Sequence, residues 1–115
     1  MTDNDALEMK MHQVRTIGEE YAKAKAQMCL LEHGRKILLA TIMKEVMLLG
    51  GKMETAAAQE REARADQRYI DHITALSIAV GNEAKWQWEK KVVELNFETW
   101  KTKMINQTVE RKSYA

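Results

Sequence analysis

The chain has 115 residues, enough for one domain, and its 45% apolar and 30% charged content is the profile of a folding chain. Eighteen basic against 17 acidic residues leave a net charge of +1, which excludes a bulk polycation that coats nucleic acid and an acidic nucleic-acid mimic. One cysteine, Cys29, excludes an intramolecular disulfide and Cys-rich zinc modules, and zero prolines with five glycines argue against strand-rich or alternating architectures.

The composition therefore points to helices, and the predicted fold class is all-α. The N-terminus is acidic and polar, without the basic and apolar pattern of a signal peptide. A helix is predicted over about residues 4–49, with Asp3 or Asp5 as its cap. Leu7, Val14, Tyr21, Met28, Arg35, Ile42 and Leu49 recur every seven residues, and Ile17, Ala24, Leu31 and Leu38 supply the second seam position. Arg35 interrupts this coiled-coil-like seam. The longest apolar-rich run, 37–49, contains Lys44 and Glu45 and is too short for a membrane span, so a cytoplasmic protein is expected.

Gly50-Gly51 predicts the one clear turn, since glycine enters the left-handed C′ conformation freely. Thr55 is the expected N-cap of a second helix over about 55–111, with a bend near Gly81 as the fallback. Its inner face is predicted to carry Ala63, Tyr69, Ile73, Leu76 and Val80. The product is a single helical domain over 1–115, a long antiparallel helical hairpin.

Two apolar arcs exceed what a hairpin buries. The run 37–49 spreads apolar side chains over an arc of about 200°. Near the C-terminus, Trp86, Val93, Phe97, Trp100 and Met104 form one stripe, while Trp88, Val92 and Leu95 lie almost opposite. The surplus needs a third helix, another subunit or a ligand. A homo-oligomer is the expected answer, with Trp88, Val92, Leu95, Ile42 and Val46 at its interface.

Catalytic and metal-binding patterns are weak. None of His12, His33 and His72 has a glutamate three residues before it, so di-iron bundle spacing fails, and zinc-protease spacing fails too. Cys29, between Met28 and Leu30, reads as a buried small hydrophobe. No enzyme, cofactor or metal is expected.

Charge varies by segment. Residues 1–34 sum to −2, 35–53 to +3, 54–84 to −3 and 85–115 to +3, an alternation that supports hairpin pairing. Within the last segment, Lys90, Lys101 and Lys112 fall eleven residues apart, in one row at intervals of about 16 Å. Beside them lie Trp86, Phe97 and Trp100. Lysines that offset phosphates beside rings that stack on bases are the elements of a sequence-tolerant single-strand binder. Glu94 and Glu98 compete for the same lysines. An alternative basic track is Arg35, Lys36, Lys44 and Lys52 near the turn.

Glu20-Tyr21, the Glu60-x-x-Ala63 start of the second helix, Tyr69 and the downstream Trp88, Leu95 and Trp100 together give the chain a likeness. It resembles small phage DNA-metabolism proteins of the recombination-mediator (UvsY-like) type, over most of its length and through generic helical spacing. The resemblance implies a cyclic oligomer that binds single-stranded DNA and helps load a recombinase onto it, and the expected protein partner is a recombinase or a single-strand-binding protein. From the residues alone, a second reading uses the same unpaired aromatic stripe as a protein interface: an all-helical protein-binding module, such as a phage-encoded inhibitor or adaptor of a host complex. A third is a coiled-coil assembly subunit.

Overall fold

A computed structural model describes residues 2–50 and 55–114. The described chain is all-α, with α1 over Asp3–Leu49, α2 over Ala56–Arg64 and α3 over Gln67–Tyr114. The cap of α1 is Thr2 rather than Asp3 or Asp5. Thr2 Oγ1 accepts from the Asp5 N–H while the Asp5 carboxylate accepts from the Thr2 N–H, both at 3.2 Å, which is a capping box. The helix ends where glycine enters, the Gly50 N–H donating to the Val46 carbonyl at 2.9 Å; Gly51 and Lys52 lie outside the described residues. Thr55 caps α2 as expected, accepting from the Ala58 N–H at 3.1 Å.

The second helix is not continuous. It breaks at Ala65-Asp66, whereas Gly81-Asn82 passes without interruption inside α3. The physical cause is Asp66. Its carboxylate accepts from the Arg68 backbone N–H at 2.8 Å, and its carbonyl accepts from Tyr69 and Ile70, so a new helix starts there. The Arg68 guanidinium then bridges Asp66 at 3.1 Å and Glu45 of α1 at 2.6 Å. These hydrogen bonds hold the pKa values of the Glu45 and Asp66 carboxyls below the usual carboxylate range and raise that of Arg68. Asp66→Ala is expected to lower the thermal midpoint by about 3–6 °C, the loss of one N-cap, without changing helical content at 20 °C by circular dichroism.

The hairpin contains two compact units, Met1–Lys23 with Ala84–Ala115, and Ala24–Glu83. In the second of these, α1 and α3 run antiparallel: Leu31 meets His72 and Glu45 meets Arg68. Met28, Leu31, Leu38 and Ile42 turn inward in the predicted heptad frame, but Leu49 is 88% exposed, so the seam stops short of it. On α3 the inward positions are Tyr69, His72, Leu76 and Ala79; Ile73 and Val80, expected inside, face out at 36% and 47% exposure. A strict heptad places His72 inside, where counting apolar residues alone would not.

The core of this unit is Ile42, Ala63 and Tyr69, with Leu38, Leu39, Met43 and Val46 packed on it. Ile42 and Val46 were expected at an oligomer interface. They are taken up by the chain itself, because the short α2 lays Ala63 over the wide apolar arc of α1. The third helix covers only part of this stretch: Ile37, Leu48 and Leu49 remain exposed.

Candidate functional site

The other unit pairs the first half of α1 with the second half of α3, again antiparallel. Lys10 sits by Trp100 and Tyr21 by Lys90. On α3 the inward stripe is Trp86, Val93, Phe97, Trp100 and Met104, with Val93 buried and the others half-buried. This is the aromatic stripe singled out for base stacking, and its inner side faces α1. Phe97 and Trp100 lie 6.2 Å apart between ring centroids, tilted by 30°. Phe97 still reaches the surface, where with Met11, Val14 and Arg15 it lines a shallow depression. A second depression, formed by Ala6, Met9, Lys10 and Gln13, carries the same lysine that approaches Trp100.

Lysines accompany the rings throughout this unit. The ammonium of Lys85 is 5.1 Å from the Trp86 centroid, that of Lys101 is 5.2 Å from Phe97, and Lys90 is 5.6 Å from Tyr21. Lys10 is 6.0 Å from Trp100. Each contact draws a cation over the electron-rich face of a ring. Lys90 and Lys101 also hold carboxylates: Lys90 binds Glu94 at 3.4 Å and Lys101 binds Glu98 at 3.1 Å. Both pairs are half-exposed, where an ion pair adds little stability and exchanges readily with another anion. Lys112, the last of the row, is exposed.

The opposite face of α3 carries Trp88 and Leu95, each 66% exposed and one heptad apart, with Val92 half-buried at the edge. Leu95 lies in a surface depression with Lys91, Glu94 and Glu98. The chain's described helices leave this stripe uncovered.

Elsewhere the structure offers little chemistry. Cys29 is exposed, not buried, because it follows the seam residue Met28 by one position and so turns about 100° away from the partner helix. Among the described residues no three His, Cys, Asp or Glu side chains gather as a metal site, and no helix is long and apolar enough to cross a membrane. His12 and His33 are exposed; His72 bonds the Leu31 carbonyl at 2.7 Å. Arg35, the polar interruption of the α1 seam, is held by Glu32 at 2.8 Å, a bond that lowers the acid's pKa and raises the arginine's.

Comparison with protein families, with curated proteins and with solved structures finds no match to this chain. The functional reading therefore stands on the residues themselves.

Proposed function

We propose that this chain is a non-enzymatic, self-associating helical accessory protein that binds single-stranded DNA in phage-type recombination or replication. The observation that carries the reading is the set of four lysine–ring pairs in one unit, on Tyr21, Trp86, Phe97 and Trp100. A strand lying along the Lys90 and Lys101 edge would place phosphates on those ammonium groups and bases against ring edges and the depression at Phe97. The net +3 of residues 85–115 favours the same polarity. The likeness to phage recombination mediators supplies the process, and a recombinase or single-strand-binding protein is the partner it implies.

The test is light scattering coupled to size exclusion, run with and without a single-stranded oligonucleotide, followed by titrations at several salt concentrations. Replacing Lys90, Lys101 and Lys112 together with alanine is expected to reduce the slope of log affinity against log salt by up to about 2, since each phosphate contact on a single strand contributes roughly 0.7. Trp100→Ala is expected to weaken binding about tenfold with the slope unchanged, because stacking releases no counterions. Absence of binding by the unmodified protein at low salt, with the oligomer intact, would remove the DNA reading.

A second reading is then favoured by a separate observation. Trp88 and Leu95 are the most accessible large apolar side chains among the described residues of α3, whereas the rings of the inner aromatic stripe are half-buried. An exposed Trp–Leu pair of this kind is an anchor for a protein partner. The protein would then be a helical protein-binding module, an inhibitor or adaptor of a host complex.

A further inference from the structure

We infer that the outer face of α3 pairs with the same face of a second copy, antiparallel, about a two-fold axis passing between Val93 and Glu94. The inference rests on the self-association proposed above and names its geometry. Two rows of this face, three and four residues apart, run Lys85, Trp88, Val92, Leu95, Thr99 and Thr102. That alternation is the spacing of a helix–helix seam, here on the side away from α1. Trp88 and Leu95 are 66% exposed, so a large apolar area remains to be covered.

The register follows from which antiparallel alignment sets apolar against apolar. With the axis between Val93 and Glu94, Leu95 of each copy meets Val92 of the other. Trp88 then rests on the methyl of Thr99, and Lys85 reaches the Thr102 hydroxyl. No acidic or basic side chain falls in the centre of this seam. One step along the edge, Lys91 of each copy flanks Glu98 of the other, offset by about 3 Å along the axis.

Charge complementarity decides the orientation. Lys90 is held by Glu94 and Lys101 by Glu98, while Lys91 is exposed and enters no ion pair among the described residues. Glu98 is 66% exposed on its side chain and retains acceptor sites beyond the Lys101 contact. The antiparallel pairing gives Lys91 its acid, twice, by symmetry. In a parallel two-fold pairing Lys91 of one copy and Glu98 of the other lie on opposite edges of the seam, so neither contact forms. A two-fold interface of this kind is self-complementary and closes on two copies.

Charge reversal tests it. Lys91→Glu and Glu98→Lys, each alone, are expected to weaken self-association about tenfold, since each converts two attractive contacts into two repulsive ones. The double variant, Lys91→Glu with Glu98→Lys, is expected to return to within about threefold of the unmodified protein. Circular dichroism confirms helical content for each, and dissociation constants come from sedimentation equilibrium. A second arm replaces Cys29 with serine and introduces Lys91→Cys in one preparation and Glu98→Cys in another. Mild oxidation of the mixture should give the 91–98 disulfide between copies. A 91–91 disulfide, or a double charge reversal that stays weak while the protein remains oligomeric, overturns the antiparallel register but leaves self-association standing. A monomeric mass for the unmodified protein overturns both.

Discussion

Replacing Ile42 with alanine is expected to cost about 2–5 kcal/mol of stability, a large part of what a domain of this size holds. Ile42 is 1% exposed and is the largest fully buried side chain among the described residues. It touches the junction of all three helices, between Ala63 of α2, at 0% exposure, and Tyr69 of α3, at 5%. Three methylene-sized groups removed there leave a void that Ala63 cannot fill, because α2 is tied at both ends by the Thr55 cap and the Asp66 break. Leu49→Ala is the matched control. At 88% exposure Leu49 loses almost nothing on truncation, and its variant should lie within about 0.5 kcal/mol of the unmodified protein. Urea unfolding followed at 222 nm separates the two. Equal costs at both positions would mean that α2 does not close over α1, and that the arc on 37–49 is free for a second subunit after all.

Much of this arrangement is legible in the sequence, and the illegible parts share a cause. The α1 seam is read directly, since Leu7, Val14, Tyr21, Met28 and Ile42 mark one heptad position with side chains large enough to signal. The Gly50 stop and the Thr55 cap are equally local features, decided within one turn of chain. The α3 frame is harder. Its inward positions include His72, Glu83 and Lys90, which are half-buried yet polar, so counting apolar residues drifts from the heptad onto Ile73 and Val80. The break at Ala65-Asp66 carries neither glycine nor proline. Its only sign is an aspartate with a backbone donor two residues on, a signal that also occurs in uninterrupted helices.

The candidate site shows the same division. Both apolar stripes of the C-terminal half are visible at helical spacing, and Trp86, Phe97 and Trp100 do fall together. What spacing cannot reveal is which stripe meets α1, because each is apolar enough to serve. The choice is made by the partner helix: Val14 and Lys10 present a surface that Phe97 and Trp100 fit. Trp88 and Leu95 are left outside. Lysine–ring pairs across the seam, such as Lys10 with Trp100, depend on residues ninety positions apart and have no local sequence signature.

Gly34→Ala is expected to destabilise the protein by about 1 kcal/mol, although alanine is the better helix former by roughly that amount. The methyl group would stand 3.1 Å from His72 Cε1 and 3.5 Å from Nε2. The imidazole has little freedom to retreat, since its Nε2 bonds the Leu31 carbonyl at 2.7 Å. Moving it breaks a half-buried bond worth about 1 kcal/mol and opens the seam on both sides. Gly18 and Gly81 supply the contrast, because a methyl at either meets nothing within 4 Å. Gly18→Ala and Gly81→Ala should each stabilise by about 0.5–1 kcal/mol. The decisive member of the series is Gly34→Ala in a His72→Ala background. With the imidazole gone the methyl enters open space, and the same substitution should turn stabilising, a coupling of about 2 kcal/mol between two residues on different helices. Stabilisation by Gly34→Ala with His72 present, as large as that at Gly18, would show that the imidazole moves aside without cost. A sign reversal would instead show that this glycine and this histidine fix how far α3 may slide along α1, by admitting one ring at one turn of the seam.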